Sequence, residues 1–313
     1  MANTYGKVSG TFQEIDNAYG KVSGVWQEAD EIYAKVSGTW ELVFAAFTAT
    51  SFVTRNSGSG TFTVPQGANA IHIQASVGGG GGAAGGVSYD KAGGESSGAG
   101  GGSGAYVSDK VFTVTEGETI SYSIGGGGAP GNQTANFGQP KIGSAGTNTT
   151  LSGSTAGSIF TLGAGGGASG TGGGVQGPLR TNTAGTAGSA TISGSAITSG
   201  NFRDTDGVTK SVTTLTSGPV GTFNQSGNGV AGNNNGNCSG DNCQIGGSTG
   251  AASYSGNIAG GAGSPQGGST GGSAGTRGSG GGGGGAQYGN ESVTGRAEAG
   301  GAGEVQYRFL RVN

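Results

Sequence analysis

Apolar and polar positions alternate in short runs along this chain, and near its start the runs repeat. Tyr5-Gly6-Lys7-Val8-Ser9-Gly10-Thr11-Phe12-Gln13-Glu14 returns as Tyr19-Gly20-Lys21-Val22-Ser23-Gly24-Val25-Trp26-Gln27-Glu28, and again as Tyr33-Ala34-Lys35-Val36-Ser37-Gly38-Thr39-Trp40-Glu41, a period of 14 residues. Each unit sets two alternating runs about a Ser-Gly pair, which suits a two-residue hairpin turn. The pattern predicts three β-hairpins over residues 1–43, turning at Ser9-Gly10, Ser23-Gly24 and Ser37-Gly38. A single hairpin is at best marginally stable in water. The units must therefore stack on each other, on identical chains or on a partner. Residues 1–43 read as an attachment or oligomerisation module, with Phe12, Trp26 and Trp40 expected to be buried once assembled.

Residues 44–60 read as a connector ending in Asn56-Ser57-Gly58-Ser59-Gly60. Period-two runs follow at Thr61–Val64, Ala70–Val77, Ala105–Val114, Thr119–Ile124 and Glu304–Val312, each the signature of a half-buried strand. Within Ala70–Val77, Ile71, Ile73, Ala75 and Val77 alternate with His72, Gln74 and Ser76, so His72 is expected to face solvent. The last run is expected to return and pair with the early strands. Residues 61–131 plus 303–313 would then form a small β-sandwich scaffold in an all-β chain. In the remainder, 132–302, Gly157–Leu162, Thr191–Ile197 and Thr209–Thr216 are further short-strand candidates.

Composition changes this picture. Of 313 residues, 78 are Gly, about a quarter against a usual share near 7%. Gly runs lie at 78–82, 100–102, 125–128, 165–167, 172–174, 267–268 and 280–285. Isolated Gly runs make flexible linkers. Many runs between ends that pair suggest order instead, because polyglycine adopts the threefold polyproline-II helix. Such helices, having no side chains, pack backbone to backbone, with N–H···O and Cα–H···O bonds replacing an apolar core. Gly102, Gly127 and Gly282 are expected to sit at such contacts.

Charge and rare residues remove function classes. There is no strict G-X-Y period and Pro numbers only 6, which argues against collagen. The net charge is −3 and Arg is not clustered, which disfavours nucleic-acid binding. No apolar run is long enough for a membrane span, and the polar start lacks a secretory h-region. The only His is His72 and the only Cys are Cys238 and Cys243. The two Cys suit a small disulfide staple or two free thiols; four zinc ligands are not available, and no cofactor is expected. Gly-x-Ser-x-Gly occurs at Gly94–Gly98 and Gly246–Gly250 without the strand–turn–helix context of a nucleophile elbow. Asp204 and Asp206 read as solvated loop charges rather than a glycosidase pair. The chain is not expected to be an enzyme.

The Lys-Val-Ser-Gly-x-Phe/Trp repeats resemble short repeats of bacteriophage tail and tail-fibre proteins. Gly60-Thr61-Phe62-Thr63-Val64-Pro65-Gln66-Gly67, then Ile71-His72-Ile73 and a Gly run, look like the glycine-rich domain of phage tail proteins. The ending Gly300-Gly301-Ala302-Gly303-Glu304-Val305-Gln306-Tyr307 does too. The middle is similar, more loosely, to the tip adhesins of T-even-like phages, although the hairpin repeats depart from those. The resemblance implies a polyglycine-II sandwich whose variable segments bind a host receptor. It also implies a virion (tail) location, extracellular after host lysis. The expected partners are a host surface glycan or outer-membrane protein and other virion tail proteins, and a homotrimer is among the assemblies the repeats suit. Recognition must come from the excursions between Gly runs. Phe202 and Tyr254 offer flat apolar surface, Arg203 a fork of donors, and Asp204 and Asp206 acceptors for hydroxyls; the Asn233–Cys243 loop is the next candidate. The alternatives are a purely structural fibre or surface-decoration protein and, further off, an ice-binding protein, whose flat regular face the irregular spacing does not suit.

Overall fold

The computed structural model describes residues 5–8, 11–14, 18–29, 31–36, 38–81, 95–96, 99–131, 142–170, 182–216, 218, 220–227, 237–238, 244–245, 249–253, 260–262, 273–281, 286–287 and 297–313. Among them the regular structure is nearly all strand. Three hairpins come first: β1 (Tyr5–Val8) with β2 (Thr11–Glu14), β3 (Ala18–Val22) with β4 (Val25–Ala29), and β5 (Glu31–Val36) with β6 (Thr39–Ala45). Next come β7 (Val53–Arg55), β8 (Ser59–Thr63), β9 (Ala70–Val77), β10 (Glu95–Ser96), β11 (Tyr106–Thr113), β12 (Thr119–Ser123), β13 (Thr149–Gly153), β14 (Gly157–Leu162), β15 (Ser169–Gly170) and β16 (Asn182–Thr183). The remainder are β17 (Ala190–Ile192), β18 (Ala196–Ile197), β19 (Asn201–Arg203), β20 (Thr209–Ser211), β21 (Gln225–Gly227), β22 (Asn237–Cys238), β23 (Gln244–Ile245), β24 (Ala286–Gln287) and β25 (Glu304–Leu310).

The hairpins turn where the repeat demands. Val22 faces Val25 across Ser23 and Gly24, whose φ angles of 51° and 86° are those of a two-residue I′ turn. Val36 faces Thr39, and Gly38 has φ 91°. In the first hairpin Val8 faces Thr11; Ser9 and Gly10 lie outside the described residues.

Two antiparallel sheets then form a sandwich. One has the order β18-β11-β9-β25-β7, with β21 on the same edge of β11 as β18; the other has the order β17-β14-β13-β12-β8. As the sequence implies, the C-terminal strand returns: β25 runs beside β9 from Glu304–Val77 to Leu310–Ala70. The scaffold also draws β13, β14, β17, β18 and β21 from the middle of the chain. Ile71, Ile73, Phe112, Ile120, Leu151, Ile159, Phe160 and Leu162 fill the space between the sheets and are fully buried. Phe62 stacks on Tyr307 at 4.3 Å between ring centroids.

Four local details differ from the sequence pattern. Thr191–Ile197 is not one strand, because the N–H groups of Ser193 and Gly194 both donate to the Ile159 carbonyl and split it. The Thr209–Thr216 run ends as strand at Ser211 and continues as a 3₁₀ turn, Val212–Thr214. Residues 44–60 are not all connector, since they hold β7 and the start of β8. Finally, β9 does not keep one apolar face. A bulge at Gln74 shifts its register against β25, so Ile71 and Ile73 enter the main core while Ala75 and Val77 pack with Tyr106 on the other side. That outer side of the first sheet carries a second core of Ala49, Ala70, Val111, Phe202, Val212, Leu215 and Leu310.

Where the side-chain core ends, the glycine frame begins. Strands β9 and β12 run straight into Gly78–Gly81 and Gly125–Gly128, and β14 into Gly163–Gly167. Packed sheets stand about 10 Å apart, but here large side chains give way to Ala105 and then to Gly. The Ala105 N–H, from the first sheet, donates directly to the Gly163 carbonyl of the second at 2.9 Å. Beyond this junction, hydrogen bonds radiate in three directions from each segment. The N–H groups of Gly79, Gly80 and Gly81 donate to Thr147, Gly301 and Gly102, while their carbonyls accept from Gly165, Gly128 and Gly281. Three successive residues thus reach six different segments. A strand alternates between two directions; three directions per three residues is the bonding of polyglycine II.

Glycine is required at interior positions of this frame, where the neighbours are carbonyls. A Cβ on Gly80 would overlap the Ser279 carbonyl, and one on Gly102 the Thr186 carbonyl. At the perimeter a hydroxyl replaces the missing neighbour. Thr147 Oγ1 accepts from Gly126 N–H, Ser144 Oγ from Ala129 N–H and Ser273 Oγ from Ala262 N–H, each at 2.7 Å. The Ser and Thr scattered among the Gly runs satisfy outward amides there.

Candidate functional site

The molecule offers two distinct surfaces around this frame. At the base of the sandwich, away from the frame, lies the charged segment that the sequence singled out. Strands β19 and β20 form a hairpin there, and the N–H of Ala49, in the connector from the N-terminal repeats, donates to the Arg203 carbonyl at 2.8 Å. Phe202 is 2% exposed and is a core side chain, so the flat surface expected for a ligand is spent on packing. Asp204 is also buried. It accepts from Arg308 Nη1 at 2.5 Å and from Lys210 Nζ at 2.7 Å. Burial alone would raise the Asp204 pKa, but Lys210, the Thr205 N–H and Arg308 outweigh it and bring it down to about 2. Asp206 is exposed and shares Lys210 at 3.0 Å. Arg203 is half-buried. The structure therefore brings Phe202, Arg203, Asp204 and Asp206 together on the base, two of them facing inward. Tyr254 and Cys243 lie outside the described residues, as do Gly282 and most of the Asn233–Cys243 loop.

His72 joins this buried cluster instead of facing solvent. It is fully buried on β9, because the second core covers the sheet face that a simple sandwich would leave wet. Its Nε2 lies 3.3 Å from Asp109 Oδ1, and Arg308 Nε donates to its Nδ1 at 3.3 Å. This places the ring proton on Nε2 of a neutral imidazole. Burial holds the His72 pKa below its ordinary value, against the raising effect of Asp109. Asp109 itself occupies a left-handed conformation, φ 47°, which Asp tolerates better than most residues. Its carboxylate accepts the Gly218 N–H at 2.6 Å and its carbonyl the Asn224 N–H at 2.7 Å. Arg308 is sandwiched by Phe52 and Phe202, at 4.6 and 5.3 Å from the ring centroids. These contacts make a ladder from Asp109 through His72, Arg308 and Asp204 to Lys210. Its groups satisfy one another and tie the connector to the sandwich. Among the described residues, no group of three or more His, Cys, Asp or Glu is placed to hold a metal ion.

The second surface is the far end of the glycine frame. Described frame segments ending at Gly81, Gly131, Ala262 and Gly281 bond with segments that begin at Ala99, Ile142, Ser273 and Ala297. Segment 78–81 runs away from the sandwich, and Gly81 bonds with Gly102 and Gly281; Gly281 in turn accepts from Gly101. Ala262 and Ser273 bond each other, and so do Ala129 and Ser144. Short strands pair segments outside the frame that are far apart in sequence. β10 pairs with β22, setting Glu95 opposite Cys238 and Ser96 opposite Asn237; β23 pairs with β24, setting Gln244 opposite Gln287. Since β22 and β23 belong to one excursion, three excursions are joined in one patch rich in amide and hydroxyl residue types. The sequence pointed to excursions in general. It gave no sign of which ones pair, because that depends on the direction of each Gly segment through the frame.

A family model described as a glycine-rich domain matches residues 54–310. No curated protein matches the chain. The matched span takes in the sandwich, the glycine frame and its excursions, and leaves out the three N-terminal hairpins.

Proposed function

The chain belongs to the glycine-rich domain family, and we propose that it is a non-enzymatic virion adhesin, part of a phage tail fibre or tail tip that recognises a host-surface receptor. One observation carries this reading: beside a frame nearly devoid of side chains, three segments far apart in sequence are joined by strand pairing. A rigid stalk of this kind fixes loops in space at little cost in ordering upon binding. The base cannot play that part as well, because Phe202, Asp204 and Arg308 are committed to packing and ion pairs. Glu95, Ser96, Asn237, Gln244 and Gln287 supply donors and acceptors that suit the hydroxyls of a surface glycan; an outer-membrane protein is the second class of receptor. The N-terminal hairpins would then join the protein to its own copies or to other tail proteins.

Adsorption of the labelled full chain to a panel of Gram-negative strains tests this reading. Binding should appear on some strains, fall at least tenfold for Gln244→Ala/Gln287→Ala, and persist for Asp206→Ala. Loss in Asp206→Ala alone moves the site to the base. Absence of binding on all strains favours a purely structural fibre or decoration protein.

A further inference from the structure

The N-terminal hairpins reach the sandwich through the connector, and the connector closes over His72. The Ala49 N–H donates to the Arg203 carbonyl at 2.8 Å and the Thr50 N–H to the Phe309 carbonyl at 3.0 Å. The Phe309 N–H donates back to Thr50 Oγ1 at 2.9 Å. Phe52 then sets its ring edge-on to the His72 imidazole, 5.4 Å between centroids. The three residues of β7 carry the chain on as the outermost strand of the sheet. Charged groups approach the ring from the other elements packed on it: Asp109 from β11, Arg308 from β25 and, beyond Arg308, Asp204 after β19 with Lys210 from β20. Asp109, Arg308 and Asp204 are buried, and Asp206 joins Lys210 from the exposed side. The connector contributes an apolar wall. With the imidazole neutral, the carboxylates of Asp109 and Asp204 balance Arg308 and Lys210.

We propose that His72 is an acid-operated latch on the connector: a proton taken up at Nδ1 releases residues 49–52 from the base while the sandwich stays folded. In the closed arrangement Nδ1 accepts from Arg308 Nε at 3.3 Å. A proton there sets N–H against N–H, and it places a second cation beside a buried guanidinium, which like charges disfavour. Arg308 is the less free to yield, because Asp204 holds its Nη1 and the rings of Phe52 and Phe202 flank it. His72 itself sits on β9, between β11 and β25. The wall that moves is the connector, held here by two backbone hydrogen bonds and a three-residue edge strand; segments of this kind open locally at low free energy. Opening admits water to the ring. The open form then takes the proton near the ordinary value of 6.5, while burial, outweighing Asp109, makes the closed form resist it. The closed form is therefore fully favoured above that pH, and the open form gains up to about tenfold per pH unit below it. The proposal does not rest on the receptor reading, since it concerns only how the connector is held.

His72 is the only histidine, so its ring gives the only imidazole signals in an NMR spectrum of the full chain. Titration from about pH 8 to about pH 4.5 tests the latch. The ring should titrate with a midpoint below 6.5, and the backbone amides of Ala49 and Thr50 should shift with the same midpoint. Their hydrogen-exchange protection, corrected for the intrinsic rate, should stay below that of Ile71 and Phe112 and fall by up to about tenfold per pH unit. His72→Gln, whose amide accepts from Arg308 and donates to Asp109 without titrating, should hold the connector across the whole range. Phe52→Ala, which opens the ring to water, should raise the midpoint toward 6.5. A ring that titrates while the Ala49 and Thr50 signals stay in place overturns the proposal, as does a ring that stays neutral throughout. So does the same acid response in His72→Gln, an unchanged midpoint in Phe52→Ala, or connector amides that exchange only together with Ile71 and Phe112.

Discussion

Replacing Gly80 by Ala tests how the glycine frame is held. Gly80 N–H donates to Gly301 at 2.8 Å, its carbonyl accepts from Gly128 at 2.7 Å, and the new methyl group would overlap the Ser279 carbonyl, which itself accepts from Gly301 at 2.9 Å. Relieving that overlap separates three segments and strains three hydrogen bonds. Each is worth about 0.5–1.5 kcal/mol net, and a buried group left without a partner costs about 1–3 kcal/mol more. Against this, Ala lowers the entropy of the unfolded chain and gains about 0.4–1 kcal/mol. The balance is a loss of roughly 3–5 kcal/mol. Gly126 is the internal control, because a Cβ there meets only Thr147 Oγ1, at 3.8 Å. Gly126→Ala keeps the entropic gain and should be neutral or stabilising by about 0.5 kcal/mol. At about 2–4 °C per kcal/mol for a domain of this size, calorimetry should find Gly80→Ala melting on the order of 10 °C lower and Gly126→Ala unchanged or slightly higher. Equal melting temperatures for the two variants would refute the reasoning, since free-standing linkers would not distinguish these positions.

Three further outcomes are expected. The His72 pKa is lower in the folded state than in the unfolded chain, so its contribution is full above about pH 6.5 and is lost as pH falls below that; chemical denaturation from pH 8 to 5 should show the decline, and His72→Gln should flatten it. Asp204, lowered to about 2 from 3.8, adds a second loss that sets in as pH falls below about 4, absent in Asp204→Asn. Arg308→Met should destabilise by about 1–3 kcal/mol in urea titration, because the buried Asp204 carboxylate loses one charged partner and keeps Lys210 and the Thr205 N–H.

Much of the strand layout was legible because its period-two runs are bounded by Gly and Pro: Ala70–Val77 and Gly157–Leu162 were readable to the residue, and the return of Glu304 to the early strands followed from pairing the two ends. The Gly runs at 78–82 and 125–128 were legible as frame because so few large apolar residues remained to build another core. What escaped the sequence depends on contacts with no local signal. The bulge at Gln74 reverses the facing of Ala75 and Val77, though alternation runs unbroken through it. The second core turns the outer face of β9 inward, and with it His72 and Phe202; a segment rich in charge looked like a solvated loop because Arg308, its partner, is 104 residues from Asp204.

Hydrogen exchange of the intact chain, read by mass spectrometry at the level of single amides, tests the central claim that the glycine runs are a hydrogen-bonded frame. The amides of Gly79, Gly80, Gly81, Gly101, Gly102, Gly165 and Gly166 should be protected to the same order as those of Ile71 and Phe112 in the sandwich, because all of them donate to backbone carbonyls in the interior. Exchange of these glycine amides at the rate of an unstructured peptide, with the strand amides still protected, would contradict the account.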